Sequence, residues 1–131
     1  MTTHLSKEVY EKLVGKSIDI KTNKYHNKKV FYDGHWFDSE KEKSFYIKFK
    51  LMEKSGEIYE LKLQQKFLLI EPFTLNNKKY RETAYISDFT YIDKDSKLHV
   101  IDVKSEITKT QVYKLKKKMM AYKYSIEIEE L

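Results

Sequence analysis

The chain has 131 residues, enough for one compact domain and too few for two ordinary ones. Leu, Ile, Val and Phe make up about 27% of it, above the range of intrinsically disordered chains, so a core can form. Lys and Arg number 26 against 20 Asp and Glu, a net charge of +6 that suits a polyanionic partner, while the lack of cysteine excludes disulfides, iron–sulfur clusters and thiolate zinc sites.

The opening MTTHLSKEVYEK lacks the apolar core of a secretion signal, so the expected location is the cytoplasm. Ser6 is a candidate N-cap for a helix reaching about Val14, with Gly15 at its C′ position. Residues 16–29 are polar and basic and read as an arm. Val30–Tyr32, Asp33-Gly34 and His35–Phe37 predict a hairpin around a D-G turn. A helix is expected from Ser39 to just before Gly56, with Phe45, Phe49 and Met52 as its apolar stripe.

Two extended runs follow, about Ile58–Leu63 and Lys66–Glu71, the second closed by Pro72, and Asn76-Asn77 marks a turn. Ala84–Asp93 alternates strongly and predicts one long strand. Lys94-Asp95-Ser96 then turns into a strand over Lys97–Lys104. A second long helix is expected over Thr108–Tyr122, its stripe being Val112, Leu115, Met119 and Tyr122. Ser125–Glu129 closes the chain as a strand. No apolar run approaches the ~20 residues that span a bilayer. The three glycines form neither GxGxxG nor GxxxxGK[ST], and GxSxG is absent, which excludes the commonest phosphate-cradling loops and the serine-hydrolase elbow.

Four residues carry the chemistry: Glu42, Asp88, Asp102 and Lys104. Asp102 and Lys104 share one face of their strand, ~7 Å apart along it, while Ile101 and Val103 point the other way. Taken alone, such a pair is usually a solvated face. Asp88 changes the weighing, because Asp is disfavoured inside strands. If Lys94–Ser96 is a three-residue loop, Asp93 pairs with Lys97 and the same register sets Asp88 opposite Asp102. Opposed Cβ atoms lie ~5 Å apart, so the two carboxylates repel unless a cation or proton sits between them. Magnesium is held in this way, by one or two carboxylates with water and phosphate oxygens. A one-residue slip would undo the pairing. Glu42 has two readings: it completes an S-x-x-E capping box with Ser39, or, three residues before Phe45, it looks toward the sheet as a site acid.

Asp88, thirteen residues, then Asp102-Val103-Lys104, after a helix-borne Glu, is similar to the signature of the PD-(D/E)XK nuclease superfamily. The expected order αβββαβ also resembles that superfamily's α/β (mixed α+β), restriction-endonuclease-like core, a central mixed sheet flanked by helices. NKYHNKKVFYDGHWFDSEKE, LKLQQKF and YKLKKK look like a phage-borne domain family of unknown function grouped with these nucleases, and F-x-S-x-x-E is similar to small phage endonucleases that resolve branched DNA. The resemblance covers residues 23–131 and leaves a helix and basic arm, 1–22, outside. Ser87 replaces the motif's Pro and Asp102 is the variable acid, both common variations.

The resemblance implies metal-dependent hydrolysis of a DNA phosphodiester, in the bacterial host cytoplasm if the gene is phage-borne. Asp88, Asp102 and the Val103 carbonyl are then ligands of magnesium or manganese, Glu42 holds a second ion or its waters, and Lys104 orients the attacking water. Gln64 or Gln65 positions water or phosphate. Lys24, Lys28 and Lys29 on the arm, and Lys114, Lys117 and Lys118 on the solvent side of the last helix, are candidates for phosphate contacts, which position DNA without reading its sequence. Lys116 sits at the margin of that helix's stripe, within reach of the site. The four histidines lie at no metal-ligand spacing and read as incidental. The leading expectation is a Holliday-junction resolvase, a homodimer because two symmetric cuts favour a two-fold axis. Its rivals are a nicking or end-processing nuclease of the same fold and a non-catalytic DNA-binding module.

Overall fold

The computed structural model describes residues 28–104 and 109–131. The expected helix at 6–14, the arm as far as residue 27 and Lys24 lie outside these residues. At residue 30 the chain enters the expected hairpin, β1 (Val30–Tyr32) and β2 (His35–Phe37). Asp33 and Gly34 both take positive φ, 51° and 78°. Two such residues give a turn whose twist matches its strands, the reason D-G is favoured there.

Helix α1 (Glu40–Lys54) starts on Ser39, whose side chain accepts the Glu42 amide hydrogen at 3.1 Å. It ends through Ser55, after which Gly56 takes φ 82°. The expected stripe is real but wider, since Tyr46 is buried beside Phe49 while Phe45 and Met52 pack at the margin.

From Gly56 the chain runs out and back as one long antiparallel ribbon. The outward arm is β3 (Ile58–Leu63) and β4 (Lys66–Ile70); a hairpin of β5 (Phe73–Leu75) and β6 (Lys78–Tyr80) reverses it, and β7 (Thr83–Ile86) and β8 (Phe89–Asp93) return. β4 pairs with β7 and β3 with β8, and the same pairing register runs from Leu63↔Phe89 to Lys66↔Ile86. The single strand expected over Ala84–Asp93 is therefore corrected to two, broken at Ser87-Asp88 opposite Gln64-Gln65. Gln64 takes φ 56° there, and Gln64 N–H···Asp88 O (3.2 Å) and Ser87 N–H···Gln65 O (3.0 Å) stitch the break. Local alternation cannot show such a bend, because each half still alternates. The strands β5 and β6 were expected only as a turn; Asn76 and Asn77, at φ 49° and 63°, make it.

β9 (Leu98–Asp102) pairs with β8 in the expected register, Phe89↔Ile101 through Ile92↔Leu98, after the three-residue loop at Lys94–Ser96. α2 (Gln111–Tyr124) begins on the Thr110 cap. β10, expected over Ser125–Glu129, is only Glu129–Glu130 and runs parallel to β9. The resulting sheet has the order β10-β9-β8-β3 and is mixed. The architecture is thus a single α+β domain.

Its two faces bury different clusters. Phe89, Ile101 and Ile58 meet Phe49, Tyr46 and Phe37 from α1 and β2. On the other face Val100 and Ile128 meet Tyr113 and Met120 of α2, with Leu69 and Tyr85 from β4 and β7. The buried side of α2 corrects the expected stripe: Val112, Leu115 and Tyr122 are 62, 54 and 92% exposed, and of that stripe Met119 alone packs partly against the core. The helix is turned by about one residue because Tyr113 and Met120, seven apart, bury more surface than the aliphatic residues beside them. Among the described residues no helix is long and apolar enough to cross a membrane.

Candidate active site

Asp102 lies at the end of β9, whose alternation sends Ile101 to the α1 face and Asp102 to the face of Val100. Asp88, one residue before β8, continues the register Phe89↔Ile101 and so stands across from it. Glu42 arrives from the first turn of α1. Its Oε1 accepts the Asp38 amide hydrogen at 3.0 Å, so it caps the helix and also faces Asp88. The first contact is the capping role, and the second sets Glu42 beside the predicted acid Asp88. Asp102 is 3% and Glu42 4% exposed.

Three acids that close cannot all carry charge without compensation. Asp88 lies within hydrogen-bonding reach of both Glu42 and Asp102. Burial, then the charge of Glu42, pushes Asp88 up to about 7. Asp102 is likewise pushed up to about 7, by burial and by Asp88, against the bond from Tyr85 that favours its ionised form. Burial also raises Glu42, with the Asp88 and Asp38 hydrogen bonds opposing it. The cluster thus holds protons into the neutral range, or takes a cation in their place.

The surrounding donors fix the acids. The Val103 amide donates to Asp88 Oδ2 at 2.8 Å and the Tyr85 hydroxyl to Asp102 Oδ2 at 2.5 Å. Lys104 Nζ lies 3.4 Å from Asp102 Oδ1 and 4.4 Å from the centre of the Tyr113 ring, a cation–π contact that limits where the ammonium points. Tyr113 is itself held, its hydroxyl donating to Glu130 at 2.7 Å. Lys117 and Lys109 complete the clasp on Glu130 at 3.1 and 3.3 Å, and Glu130 is held down at about 2, chiefly by the Tyr113 hydrogen bond.

The structure therefore brings Glu42, Asp88, Asp102, Val103 and Lys104 together. Gln64 and Gln65 reach the acid-bearing segment through their backbones, and the Gln65 side chain lines a groove of about 210 Å³ with Lys62, Phe67 and Thr90. Lys28, Lys29, Lys114 and Lys118 are exposed, Lys29 lying 3.8 Å from Asp38. Lys117 is corrected: it was expected on the solvent side, but the turned helix points it at Glu130. Lys116 is half-buried.

Sequence reasoning missed Tyr85 and Tyr113. Tyr85 is an odd number of positions from Asp88, which in an unbroken strand sets them on opposite faces; the break at Ser87-Asp88 removes that constraint. Aromatic character alone does not single out Tyr113, since Tyr122 on the same helix is 92% exposed; the packing against Val100 does.

The donor set consists of hard oxygens, the chemistry of a magnesium site. As they stand, however, the described residues contain no group of three or more His, Asp or Glu that could hold a metal ion. Their carboxylate oxygens are engaged instead by Tyr85, Lys104, Val103 and Asp38. A two-carboxylate site completed by water and phosphate remains compatible with Asp88 and Asp102.

No curated protein and no solved structure matches the chain. A family model described as "Protein of unknown function (DUF1064)" matches residues 22–129, and the chain belongs to that family.

Proposed function

We propose that this protein is a metal-dependent DNA endonuclease of the PD-(D/E)XK kind, selective for branched DNA such as a four-way junction and acting as a homodimer in the cytoplasm. One observation carries the reading: Glu42, Asp88, Asp102 and Lys104, drawn from α1, the start of β8 and the end of β9, meet in one cluster in which Glu42 and Asp102 are buried and Asp88 and Lys104 half-buried. A protein with no use for such a cluster gains nothing by drawing three acids together, two of them buried.

In this reading Asp88 and Asp102 hold magnesium or manganese with the Val103 carbonyl, and Glu42 holds a second ion or its waters. Bound there, the metal lowers the pKa of its water and stabilises charge on the phosphoryl oxygens. Tyr85 and the Val103 amide keep one oxygen of each aspartate fixed, and Lys104 stands against the second oxygen of Asp102. Lys104, steadied by Tyr113, directs the attacking water and offsets the negative charge of the pentavalent phosphorus. Water adds to phosphorus as the bond to the leaving sugar oxygen breaks, and that oxygen takes up the proton. The exposed Lys28, Lys29, Lys114 and Lys118 supply phosphate contacts that position DNA without reading sequence.

The engagement of the carboxylates by the protein's own donors favours a second reading, a non-catalytic DNA-binding module. Cleavage of labelled four-way junction, flap and plain duplex, with magnesium and with EDTA, separates the two. Paired, metal-dependent cuts on the junction are expected, with Asp102→Asn and Lys104→Ala each reducing the rate by on the order of a hundredfold or more. Equal cutting of duplex or single cuts at ends would leave a nicking or end-processing nuclease. Binding without cutting in either metal would establish the module.

A further inference from the structure

The β5–β6 hairpin is built from residues that a merely structural turn does not need. Every residue from Glu71 to Glu82 is exposed. Alternation places Phe73, Leu75, Lys78 and Tyr80 on one face and Thr74 and Lys79 on the other. Phe73 and Tyr80 stack with ring centres 4.7 Å apart and planes within 8° of parallel, and Lys78 Nζ lies 5.1 Å from the centre of the Tyr80 ring. With Lys79 on the opposite face and Arg81 just past β6, the tip carries three cations within four residues. Glu82, the nearest acid on the returning strand, is engaged by Lys66.

We propose that this hairpin is a DNA-engaging arm: Phe73 and Tyr80 stack on bases unpaired at a branch point, while Lys78, Lys79 and Arg81 hold the adjoining phosphates. The inference rests on the nuclease reading and deepens it by naming the surface that recognises the substrate. Two features favour nucleic acid over a second copy of the chain. Exposed aromatic rings with cations beside them are how single-stranded bases are held, and a self-complementary contact would bring three cations against three. The ribbon also gives a suitable reach. Asn77 is eleven residues before Asp88, a reach bounded at about 40 Å of extended chain. The hairpin is the tip of the β-ribbon and Asp88 sits at the break midway along it, so an arm fixed at a branch sets the distance at which the acids meet a phosphodiester.

The test uses the full chain and a fluorescein-labelled four-way junction, with binding followed by anisotropy in EDTA and cutting in magnesium. One variant, Lys78→Gln/Lys79→Gln/Arg81→Gln, keeps the rings and removes the cations. A second, Phe73→Leu/Tyr80→Leu, keeps the hairpin apolar and removes the π faces. Both should melt at the native temperature. The first should weaken binding at least tenfold and flatten its salt dependence by up to about two to three in log–log slope. The second should weaken junction binding about tenfold or more and plain duplex binding much less. Native-like junction binding by both variants, or no junction binding by the native chain, overturns the arm. A change in sedimentation with DNA binding intact does so too, in favour of a contact between copies. Hairpin-dependent binding without metal-dependent cutting keeps the arm and sinks the nuclease.

Discussion

The two ends of the long β-ribbon differ in both burial and charge. In the inner half, from the break at Ser87-Asp88 inward, β3 and β8 enter the mixed sheet, and acids face one another at the break. At the outer end, β5 and β6 pair only with each other and carry cations and aromatic rings into solvent. The difference separates two kinds of cost. The inner end is held by packing and tolerates repulsion between its charges; the outer end has almost no packing, and its conformation rests on an Asn-Asn turn and the backbone pairing of β5 with β6.

Breaking the packing should have the largest effect. Phe89, adjacent to Asp88 and stacked edge-on against Phe49 at 5.3 Å, is nearly sealed from solvent. Phe89→Ala should cost about 3–5 kcal/mol, whereas Phe73→Leu at the outer end should cost within about 0.5 kcal/mol. Urea unfolding of the two variants gives the contrast directly, and equal losses would erase it.

The acids supply the next effect. Asp88→Asn keeps an oxygen for the Val103 amide and removes one of three like charges, so the metal-free variant should melt several degrees above the native chain at pH 8. The pH dependence has a definite sign. Asp88 and Asp102 titrate near 7 when folded and near 4 when unfolded, so the unfolded chain releases protons first and the cluster's contribution to stability falls as pH rises between these values. Asp88→Asn should narrow that fall. Added magnesium should raise the native melting temperature at pH 8 and much less at pH 5. A melting temperature indifferent to magnesium at pH 8 would falsify the two-aspartate site.

Tyr85→Phe leaves a buried oxygen of Asp102 without its donor and should cost about 1–3 kcal/mol, by the same unfolding measurement. It should also lower any cutting rate less than Asp102→Asn does, because Tyr85 positions Asp102 and does not replace it.

The smallest effect belongs to His99, which bridges Asp93 at 2.7 Å and Glu129 at 2.5 Å and so ties β10 to the sheet. Burial pulls its pKa down, but these two carboxylates more than offset that and raise it. Its contribution is present below the ordinary histidine range and lost as pH rises through the raised value. Amide protection at β10, taken relative to the intrinsic exchange rate at each pH, should therefore fall at high pH, and His99→Gln should remove that fall.

Much of this was legible in the residues themselves. Asp33-Gly34, Ser39 with Glu42, and Lys94–Ser96 are local devices, and each produced its turn, cap or loop at the expected place because its energetics involve only neighbouring backbone. The loop at 94–96 fixed the register, and the register set Asp88 across from Asp102. Tertiary packing decided the rest. An alternating run looks the same straight or bent, so the break at Ser87-Asp88 appeared only with its partner strand at Gln64-Gln65. The face of α2 was chosen by which ring, Tyr113, filled the space beside Val100. Tyr85 joined Asp102, and Lys117 joined Glu130, because the bend and that helix rotation brought them there, long-range packing outcomes that no local spacing specifies.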